Sequence, residues 1–386
     1  MVNAILFSVV AGVVAFLVSS AAIPLIRHIA MAVRAMDYPG GRRDQADAIP
    51  RLGGIAVVLG VFIGGGTLTA LRHGAYQGSF SITEFMTVIL ALFIIFICGV
   101  LEDSVGLSPV TRLLMQSIAA LLVIRVGWTF GTINLPFVED LELGILTGLF
   151  SLIWIVGVTN AVNLLDGLDG LASGVVAIIA SSLLIISLSQ HDYLTAMIMG
   201  ALAGSCLGFL RKNWAPAQIY LGDTGSLTLG FLLAIVSVKS AMKAPAAIAI
   251  LVPILALGLP VIDTLLVMLF RFTRKSRRPL GRRFRRMFDA DQNHLHHLMV
   301  RLGRSRSRIV IVIYSIAVIF CAMALLVAVS KNMTLGLILI GFEILVVFSM
   351  RQLGLHADML KISIKKRKSI RDTIYEDKIM NLKDIA

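Results

Sequence analysis

Residues 309–329 read IVIVIYSIAVIFCAMALLVAV, an apolar run without one charged side chain. A helix needs about 20 such residues to cross the hydrocarbon core of a bilayer. Strands of a transmembrane barrel alternate apolar and polar positions over about half that length. This run does not alternate, so it reads as a transmembrane helix. Ten further candidates lie near 3–26, 52–71, 85–101, 113–130, 145–163, 171–188, 194–210, 225–241, 246–270 and 334–350. The pair around 225–270 is the least regular, because Pro245, Pro253 and Pro260 interrupt it. Pro is tolerated in a span when neighbouring helices re-satisfy the freed carbonyls.

Composition supports that reading. Of 386 residues, 58% are hydrophobic and only 15% charged, with a mean hydropathy of +0.90. Soluble domains carry about a quarter charged residues. A disordered chain, a coiled coil and a water-soluble enzyme are excluded. The opening run, MVNAILFSVVAGVVAFLVSS, has no basic residue ahead of it and is too long for a signal-peptide core, so it is expected to remain as the first span. Cys98, Cys206 and Cys321 all lie in apolar runs, widely spaced and odd in number. They read as small core hydrophobes rather than a disulfide framework or metal site.

The formal net charge is +13, from 35 Lys and Arg against 22 Asp and Glu. Eleven spans put the termini on opposite sides, and the charges choose which. Loops 27–51, 102–112, 164–170, 211–224 and 271–308, with the tail 351–386, hold 30 of the 35 basic residues. The opposite loops carry only Arg72, Lys239, Lys243 and Lys331, with Arg125 near the end of the fourth span. Cytoplasmic loops carry the Lys and Arg excess, so the first set is cytoplasmic. The expected fold is all-α, a polytopic membrane bundle of about eleven helices with the N-terminus outside. Residues 1–350 form the transmembrane domain, and 351–386 a basic, mixed-charge cytoplasmic tail able to touch anionic lipid.

Nine acids fall at the cytoplasmic face of that topology: Asp37, Asp44, Glu102, Asp103, Asp166, Asp169, Asp223, Asp263 and Asp291. Glu343 is the main acid placed well inside a span. Ion-coupled transporters usually hold ionisable groups at mid-membrane on broken helices. A one-sided collection of carboxylates instead suits an enzyme working at the membrane surface. The acids also sit in patterned strings. Glu102 and Asp103 close the third span; side by side they suit Mg²⁺ or proton transfer, although the pair taken alone reads better as an ordinary charged helix end. NAVNLLDGLDGLASG, residues 160–174, spaces Asn163, Asp166 and Asp169 three apart, which on a helix is one face. Gly167 and Gly170 follow the two Asp and permit close approach of a ligand. YLGDTGSLTLG, residues 220–230, sets Asp223 before the exposed amides of a helix start, where phosphate is received; an ordinary N-cap is the plain alternative. DQNHLHHLMVRLG, residues 291–303, supplies His294, His296 and His297. H-x-H-H lacks the ligand set of a structural zinc; donors to phosphate or sugar oxygens fit better. The arginine-rich run before it reads mainly as a lipid-facing cationic stretch, of which one or two could grip a diphosphate.

Together, from Asp37 to Gly303, these strings and their order resemble the polyprenyl-phosphate N-acetylhexosamine-1-phosphate transferase superfamily, glycosyltransferase family 4. The eleven-span count is similar to its bacterial undecaprenyl-phosphate GlcNAc-1-phosphate transferases; the muramoyl-pentapeptide branch usually has ten. The resemblance implies a phosphotransferase that moves a sugar-1-phosphate, N-acetylhexosamine-1-phosphate first among candidates, from a UDP-sugar to undecaprenyl phosphate. UMP is released, and the product is the lipid-linked first sugar of an envelope polysaccharide such as O-antigen. It implies Mg²⁺, with Mn²⁺ as a substitute, held by Asp223. It implies a catalytic set of Glu102, Asp103, Asp166 and Asp169, with Asn163, Arg42, Arg43, His294, His296 and His297 binding substrate. Asp37, Pro39, Gly53 and Gly54 match the first cytoplasmic loop, and Pro260 and Asp263 a string ahead of the histidines. The expected setting is the bacterial inner membrane, with the active site on its cytoplasmic face. The expected partners are UDP-sugar, undecaprenyl phosphate and membrane lipids, with no nucleic acid and a homodimer left open.

The chain also departs from that pattern. Gly40, Arg43 and Gln45 stand where the first loop usually has Asn, Lys and His. Glu102 replaces the first Asp of an Asp-Asp pair, and Gln292 stands where Arg often precedes the histidines. Phospho-MurNAc-pentapeptide transfer is the alternative within the superfamily, and a multi-span transporter the alternative outside it. A CDP-alcohol phosphotransferase fails, because no Ala-Arg follows Asp166 and Gly167.

Overall fold

The structure, a computed structural model, describes residues 2–38, 48–66, 81–130, 133–135, 138–141, 145–244, 248–273, 294–301 and 305–356. Thirteen helices are numbered here in chain order: α1 (Val2–Ala32), α2 (Gly54–Val61), α3 (Ile82–Val105), α4 (Pro109–Arg125), α5 (Ile145–Leu165), α6 (Leu171–Ser189), α7 (Tyr193–Asn213), α8 (Gly222–Lys243), α9 (Leu251–Ala256), α10 (Gly258–Thr273), α11 (Leu295–Arg301) and α12 (Arg306–Ser330), then α13 (Met333–His356). Each of the eleven apolar runs contains helix among its described residues. Eight helices among the described residues are long and apolar enough to cross a membrane: α1, α3, α5, α6, α7, α8, α12 and α13. A π-helical turn, Phe62–Gly66, continues α2, and two small antiparallel strand pairs complete the described elements, β1 (Met36–Asp37) with β2 (Ile49–Pro50) and β3 (Ile133–Leu135) with β4 (Val138–Leu141).

Several boundaries differ from those expected. α3 runs past the apolar stretch to Val105 and ends at Gly106, whose φ of +74° lets its N–H turn back to the Leu101 and Glu102 carbonyls. Glycine takes that left-handed conformation without the Cβ penalty. Glu102 and Asp103 therefore lie on the last turn of a helix rather than in a loop. α8 begins at Gly222, which brings Asp223 into a first helical turn. The run 246–270 is broken between α9 and α10 at Leu257. Pro260 has no N–H to give Ala256, and the Ala256 carbonyl instead meets the Cys321 thiol at 3.9 Å. α13 continues to His356, so Arg351 belongs to a helix and not to the tail. Asp166 and Asp169 stand in a turn, residues 166–170, between α5 and α6. They do not share a helical face with Asn163, because the chain leaves the helix after Leu165.

α8 forms the centre of the bundle, with 94% of its most apolar stretch buried inside the protein. α1 packs on α7 through backbone contact. A Cβ on Gly204 would lie 2.0 Å from the Gly12 carbonyl oxygen, one on Gly208 2.4 Å from that of Phe16, and one on Gly200 2.5 Å from that of Ser8. Small residues at such spacing let membrane helices approach closely, and Ser20 Oγ adds a hydrogen bond to the Gly208 carbonyl at 3.2 Å. All three cysteines are free and buried. Glu343 lies on α13, fully buried against Gly258, where a Cβ would meet its Oε2 at 2.2 Å. Neither of its carboxyl oxygens finds a hydrogen-bond partner among the described residues.

Candidate active site at the start of the central helix

The first turn of a helix offers N–H groups with no partner inside the helix. At α8 those groups are met from another helix. Asp103, on the last turn of α3, accepts the Asp223 N–H at 2.9 Å, the Thr224 N–H at 2.8 Å and the Thr224 hydroxyl at 2.6 Å. Both carboxylate oxygens are engaged, and the negative charge faces the positive end of the α8 dipole. This approach requires glycine. A Cβ on Gly99 would lie 2.4 Å from Thr224 Cα, and one on Gly54 2.1 Å from the Gly225 nitrogen.

The segment ahead of α8 is stitched to the first cytoplasmic loop. Tyr220 N–H donates to the Pro50 carbonyl at 2.8 Å, Gly53 N–H to Tyr220 at 2.9 Å and Gly54 N–H to Leu221 at 2.8 Å. Asp37, at the other end of that loop, pairs with Arg51 at 2.5 Å. Arg42 and Arg43, the loop's expected substrate contacts, lie outside the described residues, as do Asp44 and Asp291.

From the third side comes Asn163, near the end of α5. Its Nδ2 donates to Asp223 Oδ1 and, at 2.8 Å, to Ser226 Oγ. Ser226 in turn donates to the Gly222 carbonyl at 3.0 Å. Asp103, Asn163 and Asp223 thus form one network from α3, α5 and α8. Glu102 does not join it. One residue along a helix is about 100° of rotation, and Glu102 accepts the Leu107 N–H at 2.7 Å while its other oxygen stands 3.6 Å from Arg112. It holds the α3–α4 turn.

The turn 166–170 links this network to the histidines. Asp169 accepts the Ala217 N–H at 3.1 Å and so anchors the chain leading to α8. Asp166 is half-buried in the same turn. A Cβ on Gly167 would lie 2.1 Å from His296 Nε2, so the imidazole packs directly on that glycine. The His296 ring lies tilted 4.1 Å from that of His297 and stacks 6.2 Å from that of His294. Its Nε2 is buried and has no hydrogen-bond partner among the described residues. Burial, reinforced by the His297 and His294 rings, holds the His296 pKa well below the usual imidazole range. The ring is therefore a neutral hydrogen-bonding group at physiological pH. His294 donates from Nδ1 to Asp263 Oδ2 at 3.0 Å, and Asp263 Oδ1 accepts the Leu295 N–H at 3.1 Å.

Asn213 is a site-building residue that sequence reading missed. It accepts the Gly170 N–H at 3.1 Å and the Ser173 hydroxyl at 3.0 Å, and donates to the Ile219 carbonyl at 2.9 Å. Its one sequence mark is a polar amide closing an apolar helix just before Trp214 and Pro216.

No three His, Cys, Asp or Glu side chains among the described residues converge as a metal site. Mg²⁺ does not demand one, because it is usually held by one or two carboxylates, waters and substrate phosphates. Asp223, its Oδ1 held by Asn163 Nδ2 and the Ser226 hydroxyl held by the same amide, offers a carboxylate of that kind. Asp103 is less suited, since its oxygens are already taken by α8.

A family model described as glycosyl transferase family 4 matches residues 85–241, which hold this network and the 166–170 turn. The probable undecaprenyl-phosphate N-acetylglucosaminyl 1-phosphate transferase of Bacillus subtilis (strain 168) is 35% identical over 341 residues, covering 87% of this chain and 89% of that protein. The decaprenyl-phosphate N-acetylglucosaminephosphotransferase of Mycobacterium leprae (strain TN) is 32% identical, over 78% of this chain and 79% of its own. A phospho-N-acetylmuramoyl-pentapeptide-transferase of Caldicellulosiruptor bescii is 29% identical, over 84% of this chain and 97% of its own.

Proposed function

This chain belongs to glycosyl transferase family 4 and transfers a sugar phosphate to a polyprenyl phosphate, and from that premise we propose the finer reaction. The donor is a UDP-N-acetylhexosamine, UDP-GlcNAc first among them, and the acceptor is undecaprenyl phosphate. An acceptor phosphate oxygen bonds to the β-phosphorus of the donor while the bond from that phosphorus to the bridging oxygen breaks. UMP leaves with the bridging oxygen, and a polyprenyl-diphospho-sugar remains. The observation that carries this reading is the Asp103–Asp223–Asn163 network at the α8 N-terminus.

Each residue then has a task. Phosphoryl transfer is mainly positioning and charge stabilisation. Asp223 would hold Mg²⁺, with Asn163 fixing one of its carboxylate oxygens. When bound, the ion offsets repulsion between two anionic substrates and stabilises charge on the transferring group. Asp103 fixes the first turn of α8 and hence the aim of Asp223. The acceptor phosphate is already largely ionised at neutral pH, so no strong base is required. Asp169 sets the approach to α8, and Asp166 stands beside it at the edge facing the histidine helix. His294, His296 and His297 receive the sugar-phosphate end of the donor. Neutral His296 serves there as a hydrogen-bonding group. Arg42 and Arg43 reach the substrates from the first loop.

In the same reading α2, α4 and the α9–α10 pair complete eleven crossings. The N-terminus lies outside, and the site faces the cytoplasm of a bacterial inner membrane, in line with the Lys and Arg asymmetry. Phospho-MurNAc-pentapeptide transfer is the second reading, favoured by a relative that matches 84% of the chain.

A UMP-release assay separates the two. Purified protein in detergent receives Mg²⁺, undecaprenyl phosphate and either UDP-GlcNAc, its epimers or UDP-MurNAc-pentapeptide. Lipid-dependent UMP release with an N-acetylhexosamine donor is expected, reduced by roughly 10³-fold in Asp223→Ala. Release with the pentapeptide donor alone would establish the second reading, and an active Asp223→Ala would remove the metal assignment.

A further inference from the structure

α13 is the least buried of the eight span-length helices, with 17% of its most apolar stretch inside the protein. Its last turns nevertheless carry Arg351, which is 3% exposed. The guanidinium stands 3.9 Å from Asp263 Oδ1 and lies 4.9 Å over the Phe270 ring. Phe348, one turn earlier, stacks on the same ring at 6.1 Å. Three residues after Arg351, a Cβ on Gly354 would lie 2.8 Å from Leu298 Cβ, so α13 also backs the histidine helix α11. The lipid-facing last helix touches both the carboxylate that holds His294 and the helix that follows it.

We propose that Arg351 is a positioning residue for the sugar-phosphate donor, acting through Asp263 on His294. The proposal rests on the donor-binding role given above to the histidines. An ionised carboxylate only accepts hydrogen bonds, so His294 must donate from Nδ1, which reserves Nε2 for a ligand. The same carboxylate fixes the start of α11 through the Leu295 N–H. Asp263 is itself 5% exposed, and a buried carboxylate without a counter-charge is costly. Arg351 supplies that charge from a helix that otherwise faces lipid. At 3.9 Å the contact is too long for a hydrogen bond, so charge and packing, rather than a shared proton, link the two. α13 is therefore part of the donor site as well as a span.

The test uses the full chain in detergent, with Arg351→Gln, Arg351→Lys, His294→Gln and the Arg351→Gln/His294→Gln double variant. Arg351→Gln is expected to raise the donor KM about tenfold or more while leaving the KM for undecaprenyl phosphate within about twofold. Arg351→Lys should recover most of that loss. The double variant should be no worse than His294→Gln by more than about twofold, because residues acting through one another do not add. Amide exchange over residues 294–301 should quicken in Arg351→Gln whatever the donor proves to be. A rise in both KM values together, additive losses or unchanged exchange would each overturn the proposal. If the parent chain turns over no donor, the donor reading fails instead, and exchange over 294–301 alone decides whether Arg351 holds the histidine helix.

Discussion

α8 and α13 are both long enough to cross a bilayer, yet 94% of the most apolar stretch of α8 is buried in the protein and 17% of that of α13. The more apolar of the two is the exposed one. Lipid is as apolar as a leucine side chain, so a helix surrounded by lipid must be greasy all round. A helix surrounded by protein can carry Thr224, Ser226, Thr228 and Ser237, as α8 does, provided hydrogen bonds satisfy them. Between these two helices hydropathy follows contact with lipid, and the site is built on the least hydropathic of the eight spans.

That contrast can be attacked from both ends. Leu233 on α8 is fully buried and Leu345 on α13 is 60% exposed. Leu233→Ala should cost about 2–5 kcal/mol, and Leu345→Ala less than about 0.5 kcal/mol, read as thermal unfolding in one detergent. Equal costs would mean that α13 is covered by another surface in solution. Glu343 is the exception on α13, a carboxyl group with no hydrogen-bond partner among the described residues. Glu343→Leu should stabilise the protein by about 1–3 kcal/mol, the usual penalty of an unsatisfied buried group, with UMP release retained. A lowered melting temperature would show that this carboxyl group has a partner the protein needs. A further effect is expected at the α8 cap. Asp103→Asn keeps one of the two acceptor oxygens, sets an NH₂ against an α8 donor and loses charge at a helix N-terminus, so about 1–3 kcal/mol is expected, and its turnover should fall more than its stability. A stability loss without loss of turnover would leave Asp103 a plain cap.

The helices were legible because apolar runs of that length have one solution in a bilayer. So was the nearness of Asn163 to Asp223, whose glycine-rich strings mark places where the backbone comes close. What the chain order hid was partnership at long range. Asp103 and Thr224 are 121 positions apart, and neither string says that one caps the other. Glu102 and Asp103 look equivalent as adjacent acids, but one step of helical rotation sends them to different elements. The expectation of one face for Asn163, Asp166 and Asp169 failed because Gly167 and Gly170 favour a turn over a continued helix. Arg351 resembled the start of a basic tail, and only the packing of Phe348 and Gly354 gives it a place in the bundle.

The glycine contact between α1 and α7 bears on how the protein is made. Ser20 and Gly208 are 188 residues apart, so the first span is synthesised long before its main partner. At roughly 5–20 residues per second, α1 waits on the order of 10–40 s with α2, which packs on it through Gly60, but without α7. The Gly200, Gly204 and Gly208 contacts cannot begin until α7 is inserted, and a chain cut short before Gly200 would leave that face of α1 without its partner.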